Sequence, residues 1–362
     1  MASEWHAVEA LNKALEKTNE LLLKRFKLSF WLKLALVVFL IGGGGLNFNF
    51  NTSFPGEKEF TADFSKYLPV IIIIFAVLLV MGLVFSFIRA VCQFMFIETL
   101  KNKEIELINE FRRNLESGFS LFLFNLVLGV ITLILALIVI APIVYLFIKG
   151  SGGTSTIALV VMVIVGILTI LCVVIISSIV SMLTTDFAII LMHKDKVGII
   201  NSWKNLWTIM GKNLKQFIVY VIAKIALSII AAMILGVVGI VILIITLLLL
   251  IALGIGAGVI VLGLALALGL KTSALAWLII PALIIAMVYF MAVGYLTVAI
   301  TLPVPVFFRY YSILFLQDVE PSIKLIEDKK PEELEGEKRE KEEVAKKPRT
   351  RRKKSEKQLK VY

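Results

Sequence analysis

The stretch Thr156–Thr184 reads TIALVVMVIVGILTILCVVIISSIVSMLT and contains no charged side chain. A helix needs about 20 consecutive apolar residues to cross the hydrocarbon core of a bilayer, and this run exceeds that length. Hydrocarbon offers no hydrogen-bond partners to the backbone, so a lone apolar segment of this kind is stable there only as a helix. The stretch therefore predicts a membrane-spanning helix.

The same pattern recurs on both sides of this stretch. Hydrophobic residues make up 59% of the 362 residues, and the mean hydropathy is +0.96, whereas soluble domains are about 45–50% apolar. We predict an all-α membrane domain over residues 1–316 and a charged, disordered cytoplasmic tail over residues 317–362. The six predicted spans, arranged as three hairpins, are residues 30–45, 68–88, 119–148, 156–184, 217–249 and 276–301.

The distribution of Lys and Arg predicts the orientation of these spans. If the N-terminus lies in the cytoplasm, six spans also place the basic tail and most other basic residues there. Lys58, Lys66, Lys149 and Lys271 then fall on the outer side. Cytoplasmic loops carry an excess of Lys and Arg in membrane proteins. We therefore predict a multi-pass protein of the cell membrane with both termini in the cytoplasm.

The stretch Phe217–Leu270 leaves alternatives open because it is longer than one span. It could form one span followed by an apolar re-entrant or interfacial segment, or it could form two spans. Its second half is rich in glycine and includes Gly254-x-x-x-Gly258, a pattern of close helix contact. An odd number of crossings between Phe217 and Thr301 would place the basic tail outside. We therefore predict two crossings there, with four as the alternative.

Three amphipathic stretches each precede a predicted hairpin. The first has apolar residues at helical spacing, namely Trp5, Val8, Leu11, Leu15, Leu22 and Phe26. The second, Ile105–Arg112, and the third, Val197–Lys204, share the order apolar-x-apolar-Ile-Asn-x-aromatic-basic. This similarity predicts a threefold repeat of a cytoplasmic surface helix followed by a hairpin. Chance similarity between two amphipathic helices is the alternative.

Several motifs together resemble a known family. They are Phe30-Trp31-Leu32-Lys33-Leu34, the run Gly42–Gly45, Asp186-Phe187, and the segment from Pro303 to Tyr311, which reads PVPVFFRYY. In these motifs the chain resembles an uncharacterised family of archaeal multi-pass membrane proteins. That family is similar to the membrane domain beside some bacterial glycerophosphodiester phosphodiesterases. The resemblance covers roughly residues 5–325 and implies a six-helix body, and it implies no reaction because the catalytic barrel is absent.

Charged residues in or beside the spans are the candidate site residues, because burying a charge in hydrocarbon is costly. Lys224 could bind an anionic headgroup, but we favour a side chain that extends to the interface. Asp186 could pair with Lys224 or Arg89, and we favour a structural ion pair over a proton relay. Arg309 follows two prolines that could break the helix and shape a pocket. We favour a role for Arg309 as an anchor at the headgroups.

The tail contains a strongly basic block that could bind anionic lipid headgroups. Its candidate contacts are Lys346, Lys347, Arg349, Arg351, Arg352, Lys353 and Lys354. No aromatic residues interleave them, so specific nucleic-acid binding is not expected. A simple role in topology and solubility is the alternative.

The sequence contains no motif for catalysis, metal binding or nucleotide binding, so we predict no catalytic residues, no metal and no cofactor. The function that it favours is a non-enzymatic membrane scaffold that binds lipids or a protein partner. A transporter or channel for a small solute or lipid is the alternative. A membrane-embedded lipid enzyme is a weaker one, because it would need a cluster of carboxylate, His or Ser groups.

Overall fold

A computed structural model describes residues 6–24, 26–42, 64–149, 156–267 and 279–326. These residues form helices joined by short connections, and none of the described residues lies in a β-strand. The helices are α1 (His6–Asn19), α2 (Leu28–Ile41), α3 (Phe64–Asn102), α4 (Leu107–Arg113), α5 (Leu115–Lys149), α6 (Thr156–Leu183), α7 (Ile189–Asp195), α8 (Ile199–Lys212), α9 (Leu214–Ala267), α10 (Ile279–Thr301) and α11 (Pro303–Val319). Two π-helical turns, Glu20–Lys24 and Thr184–Ala188, follow α1 and α6.

Four stretches of described helix are long and apolar enough to cross a membrane. They are Leu68–Asn102, Leu115–Tyr145, Leu159–Asp195 and Leu214–Ala252. The helices α10 and α11 meet at a bend of 54° and would supply a fifth span if they cross together. The apolar helix α2 has 14 residues, about 21 Å at 1.5 Å per residue, and is shorter than a hydrocarbon core of about 30 Å. The chain is therefore an all-helical protein with four or five spanning candidates among the described residues.

The helix α9 runs without interruption from Leu214 to Ala267. One alternative for Phe217–Leu270 was a pair of spans joined by a turn. Because the helix contains no turn between Leu214 and Ala267, two spans do not form within that range. Gly254, in its second half, has open space where a Cβ would lie. No atom of the described residues packs against Gly254, and Gly258 lies outside the residues whose side chains are described.

Buried residues concentrate at one end of the spans. Residues 90–100 of α3, 186–192 of the π turn and α7, and 309–316 of α11 are buried on all sides. The helix α1 packs along α11. We call these three buried segments, together with the packed face of α1, the basal core. In this core, α11 contacts both the π turn before α7 and the C-terminal part of α3.

The packed face of α1 is made of small side chains. Ala7, Ala10 and Ala14 are fully buried, and small residues at this spacing let two helices approach closely. The large apolar residues Val8 and Leu15 are 58% and 53% exposed. The sequence interpretation expected the large residues to form the apolar face, whereas the alanine face makes the contact with α11.

The second and third amphipathic stretches form the same structural unit. Lys103 after α3 and Lys196 after α7 have φ angles of 58° and 51°, a left-handed conformation that commonly ends a helix. A surface helix, α4 or α8, begins a few residues later and leads into the next long helix. This common geometry supports a repeat rather than a chance similarity of these two stretches.

The compact unit that contains the basal core comprises Met1–Ile323, and a second unit comprises Lys324–Tyr362. The predicted start of the tail at Gln317 falls inside α11, which continues to Val319. The basic block Lys346–Lys354 lies outside the described residues.

Candidate functional site

Three buried polar residues occupy equivalent places in the basal core. Each of these residues lies nine positions before a polar residue at or next to the end of a helix. The pairs are Gln93 and Asn102, Asp186 and Asp195, and Arg309 and Asp318. An aromatic residue follows each of the three, and it is buried in every case. Gln93, Asp186 and Arg309 are 4%, 5% and 6% exposed. Sequence analysis missed Gln93, and this shared register is the signal that identifies it.

Asp186 forms a buried ion pair at the π turn. Its Oδ2 accepts hydrogen bonds from the Lys224 ammonium and from the Tyr220 hydroxyl, the latter at 3.1 Å. Lys224 and Tyr220 lie one helical turn apart on α9, so both reach the same carboxylate. The predicted partner Lys224 is therefore in place, and its side chain is bound inward rather than extended to the interface. Arg89, the other predicted partner, is exposed on α3.

Arg309 lies where the three buried segments meet. Its Nη1 donates a hydrogen bond of 2.5 Å to the carbonyl oxygen of Thr185, and its guanidinium lies 5.7 Å from the centre of the Phe96 ring. One side chain of α11 thus contacts both the π turn and α3. The prediction of an anchor at the headgroups is wrong, because the bend before Pro303 turns α11 and places Arg309 inside the basal core.

A stack of aromatic rings surrounds this polar group. Tyr220 lies between Tyr311 and Phe315 of α11, with ring centres 4.9 Å and 4.5 Å away. Phe187 packs on Tyr220 at 4.9 Å and on Phe217 at 5.2 Å. The rings cover the Asp186 side of the ion pair, and the low local dielectric there strengthens its electrostatic attraction.

Some buried polar atoms of the basal core lack a partner among the described residues. They include Gln93 Oε1 and the Tyr311 hydroxyl oxygen. Arg309 forms no ion pair with any carboxylate in the described part of the chain, and its one hydrogen bond there is to Thr185. Buried polar atoms in native proteins are usually paired. We call the place where the three buried segments meet around Arg309 the junction. It is the leading candidate site, because Arg309 and Tyr311 are buried there with unused hydrogen-bonding groups.

A second polar cluster ties α3 to α4. Glu98 forms an ion pair with Arg113 at 2.5 Å and accepts a hydrogen bond from the Asn114 side chain at 2.9 Å. Glu110 is 3% exposed, and its Oε2 has no partner among the described residues. Burial raises the pKa of the Glu110 carboxyl, and the nearby negative charge of Glu98 adds to the effect. This cluster is titratable but holds α4 in place, so we assign it a structural role.

The helices α1 and α11 also bring together one group of metal-ligand type. Ligand atoms of His6, Glu9 and Asp318 lie within 4.8 Å of one another. The Lys13 ammonium already contacts both carboxylates, Glu9 at 2.9 Å and Asp318 at 3.0 Å. Burial opposes protonation of Lys13, but the bonds to Glu9 and Asp318 outweigh it and raise its pKa. The lysine supplies the positive charge here, so the geometry suits an ion-pair contact between α1 and α11 better than a metal site.

An apolar groove lies between α9 and α10, with a volume of about 320 Å³. Its lining includes Ile245, Leu249, Tyr289 and Leu296, and no charged side chain lines it. The Tyr289 hydroxyl donates to the carbonyl oxygen of Thr246 at 3.0 Å. Such a groove suits a lipid chain and offers no group for chemistry.

Comparisons with known proteins identify a family but no activity. No curated protein and no solved structure matches the chain. A family model, described as a family of unknown function (DUF7544), matches residues 5–326, which includes the basal core and every described span. The chain belongs to this family, DUF7544.

Proposed function

We propose that this chain is a non-enzymatic protein of the cell membrane that binds lipids or a protein partner through its surface helices. The observation that carries the proposal is the exposure of large apolar side chains on α1, α4 and α8. They are Val8, Leu15, Ile108, Ile200 and Trp207, each more than half exposed. Exposed apolar surface of this kind marks an interaction site for protein or membrane.

The repeat strengthens this proposal. Ile108 and Ile200 occupy the same place in the two repeated stretches, and they are 71% and 68% exposed. The opposite faces of α4 and α8 contribute buried residues such as Glu110 and Leu206. An apolar residue kept outward in both units, while the other face packs, is what a binding surface requires.

We propose that the chain has no enzymatic activity, because the charged residues beside the spans are already bound by other groups of the chain. Asp186 is bound by Lys224 and Tyr220, and Arg309 is bound to a backbone carbonyl. A hydrolytic site needs an acid, base or nucleophile that faces a substrate cavity. Asp186 has the chemistry of such a group, but two donors already hold its Oδ2.

The proposed topology has six crossings, with α2 as the first and both termini in the cytoplasm. It is the six-helix body that the resemblance to the membrane domain beside glycerophosphodiester phosphodiesterases implies. Single cysteines at Ser53 and Ser355, in a background without Cys92 and Cys172, should react with an impermeant reagent from opposite sides of the membrane. Labelling from the same side would contradict this topology.

The binding function is tested by native mass spectrometry of the protein extracted gently from its own membrane. We expect a bound lipid or a stoichiometric protein partner that is lost when Ile200 and Trp207 are both changed to Ser. Thr208→Ala, an exposed change on the same helix, is the matched control and should retain it. Retention in the double variant would overturn the proposal. Deletion of Lys346–Lys360 in the same assay tests the proposed contribution of the basic block to lipid binding.

A transporter is the second candidate function, and the broken helix favours it. The helices α10 and α11 are bent by 54° around Leu302, and interrupted helices often form transporter binding sites. Reconstituted vesicles should then take up a solute at a rate that falls when Asp186 is changed to Asn. Equal uptake by vesicles with and without the protein, across a panel of anionic solutes, would remove this candidate.

A further inference from the structure

We propose that the junction around Arg309 binds an oxyanion, the phosphate of a lipid headgroup or a free phosphate. This inference deepens the proposed binding function, on which it rests for the lipid source. It uses a different part of the chain from the exposed faces of the surface helices. Arg309 and Tyr311 are the residues that carry it.

The charged side chains of the junction do not balance one another. The junction contains one carboxylate, Asp186, and two cations, Lys224 and Arg309. Asp186 is the nearby negative charge that stabilises Arg309, but its Oδ2 is bound by Lys224 and Tyr220, and no described carboxylate lies within ion-pair distance of Arg309. An isolated buried charge is costly unless it is paired. One negative charge from a ligand would balance the cations.

Most hydrogen-bond donors of Arg309 are unused among the described residues. A guanidinium has five N–H donors, arranged as a planar fork that matches phosphate and carboxylate oxygens. One donor is bound to Thr185, and the remaining donors form no hydrogen bond to a described residue. The Tyr311 hydroxyl, fully buried in the same junction, also lacks a partner there. These groups can donate to an oxyanion.

The aromatic surroundings of Arg309 indicate the kind of ligand that would bind there. The guanidinium lies over Phe96 at 5.7 Å and beside the Tyr220–Tyr311 stack. Rings that exclude water strengthen a charge-assisted hydrogen bond to an anion. The side chain of Lys224 is 16% exposed, so the junction is open on that side. These surroundings suit a small oxyanion, whose oxygens match the guanidinium fork.

The test uses the full chain in micelles of dodecyl maltoside, a detergent that contains no phosphate. The thermal midpoint of unfolding is followed by tryptophan fluorescence, with inorganic phosphate replacing chloride at constant ionic strength. A second arm adds phosphatidylglycerol to the micelles in the absence of inorganic phosphate. We expect at least one arm to raise the midpoint of the wild type.

Arg309→Gln should weaken the effect of that anion by about tenfold or more, because a charge-assisted pair is lost. Arg89→Gln removes an exposed positive charge and should leave the anion's effect on the thermal midpoint unchanged. An effect of phosphate alone assigns a free anion, and an effect of phosphatidylglycerol alone assigns a lipid headgroup. No effect of either anion on the wild type, or an equal effect in Arg309→Gln, would overturn the inference.

Tyr311→Phe provides a second test if Arg309→Gln does not fold. Without added anion this variant should be as stable as the wild type or more so, because it removes a buried hydroxyl without a partner. The concentration of anion needed for half the rise should increase by about fivefold. A midpoint that falls without anion, together with an unchanged anion effect, would contradict the role of Tyr311. Failure of these tests leaves the test at Ile200 and Trp207 intact, so the two proposals fail separately.

Discussion

The two halves of α3 have opposite environments although they belong to one continuous helix. Residues 68–84 are exposed on every face, whereas residues 90–100 are buried on every face. The exposed half is almost purely aliphatic, while the buried half includes Gln93, Glu98 and Thr99. Hydropathy therefore identifies the part of the helix that meets lipid, and the packing that specifies the fold lies in the less apolar half.

The same contrast holds for the whole molecule. The spans expose large aliphatic side chains, and the basal core holds the stacked rings and the ion pair. In lipid, apolar side chains gain little by packing against each other, because the surrounding chains are equally apolar. Stability should therefore depend on the basal core more than on contacts between the spans.

Truncation of a ring in the basal core should have the largest effect. Phe187 is fully buried against Phe217, Tyr220 and Phe315, and Phe187→Ala should lower the free energy of unfolding by about 3–5 kcal/mol. Phe75, 65% exposed in the apolar half of α3, is the matched control. Phe75→Ala should change it by less than about 0.5 kcal/mol. Denaturant titration in detergent measures both, and equal losses would remove the contrast between the two regions.

Breaking the buried ion pair should have the next largest effect. Asp186→Asn leaves Lys224 without its partner carboxylate, and we expect a loss of about 2–3 kcal/mol in the free energy of unfolding. The double variant Asp186→Asn, Lys224→Met removes the uncompensated charge and should recover part of that loss. A double variant less stable than Asp186→Asn alone would show that the pair does not act as a unit.

A close contact between α3 and α5 gives a smaller effect. A Cβ at Gly118 would lie 2.4 Å from Val91 Cγ2 and 2.9 Å from Val91 Cα. Gly118→Ala should therefore cost about 1–3 kcal/mol through overpacking. In the same helix Gly129 has no atom of the described residues within 4 Å of such a Cβ, and Gly129→Ala should stabilise by up to about 1 kcal/mol through helix propensity. Thermal unfolding of the two variants should shift in opposite directions.

The smallest effect concerns pH. Burial raises the pKa of Glu110 above its ordinary value of 4.5, so the protonated form is favoured in the folded state. The stability that this provides is fully present below pH 4.5 and is lost as the pH rises through the raised pKa. Glu110→Gln stays neutral, so its stability relative to the wild type should increase over that rise. A constant difference between pH 4 and pH 8 would show that Glu110 is ionised at no cost.

Sequence reasoning located the helices well because hydropathy is a local property. It could not choose the packed face of α1, since its rule favours large apolar residues and the close contact with α11 selects alanine. It also placed Arg309 at the headgroups, because the direction of the chain after Pro303 depends on a bend of 54°. The pair of Asp186 with Lys224 was among its alternatives, and Gln93 was missed because its register becomes visible only when the helix ends are known.

The most direct test of the central claim is site-directed spin labelling along α3. Single cysteines at positions 70–80 and 90–100, in a background without Cys92 and Cys172, are labelled in nanodiscs, and collision rates with oxygen and with a water-soluble nickel complex are measured. The account predicts high oxygen collision at every position from 70 to 80, without helical periodicity, and low collision with both reagents from 90 to 100. A period of 3.6 residues between 70 and 80 would contradict it, because one face of that half would then be packed against protein.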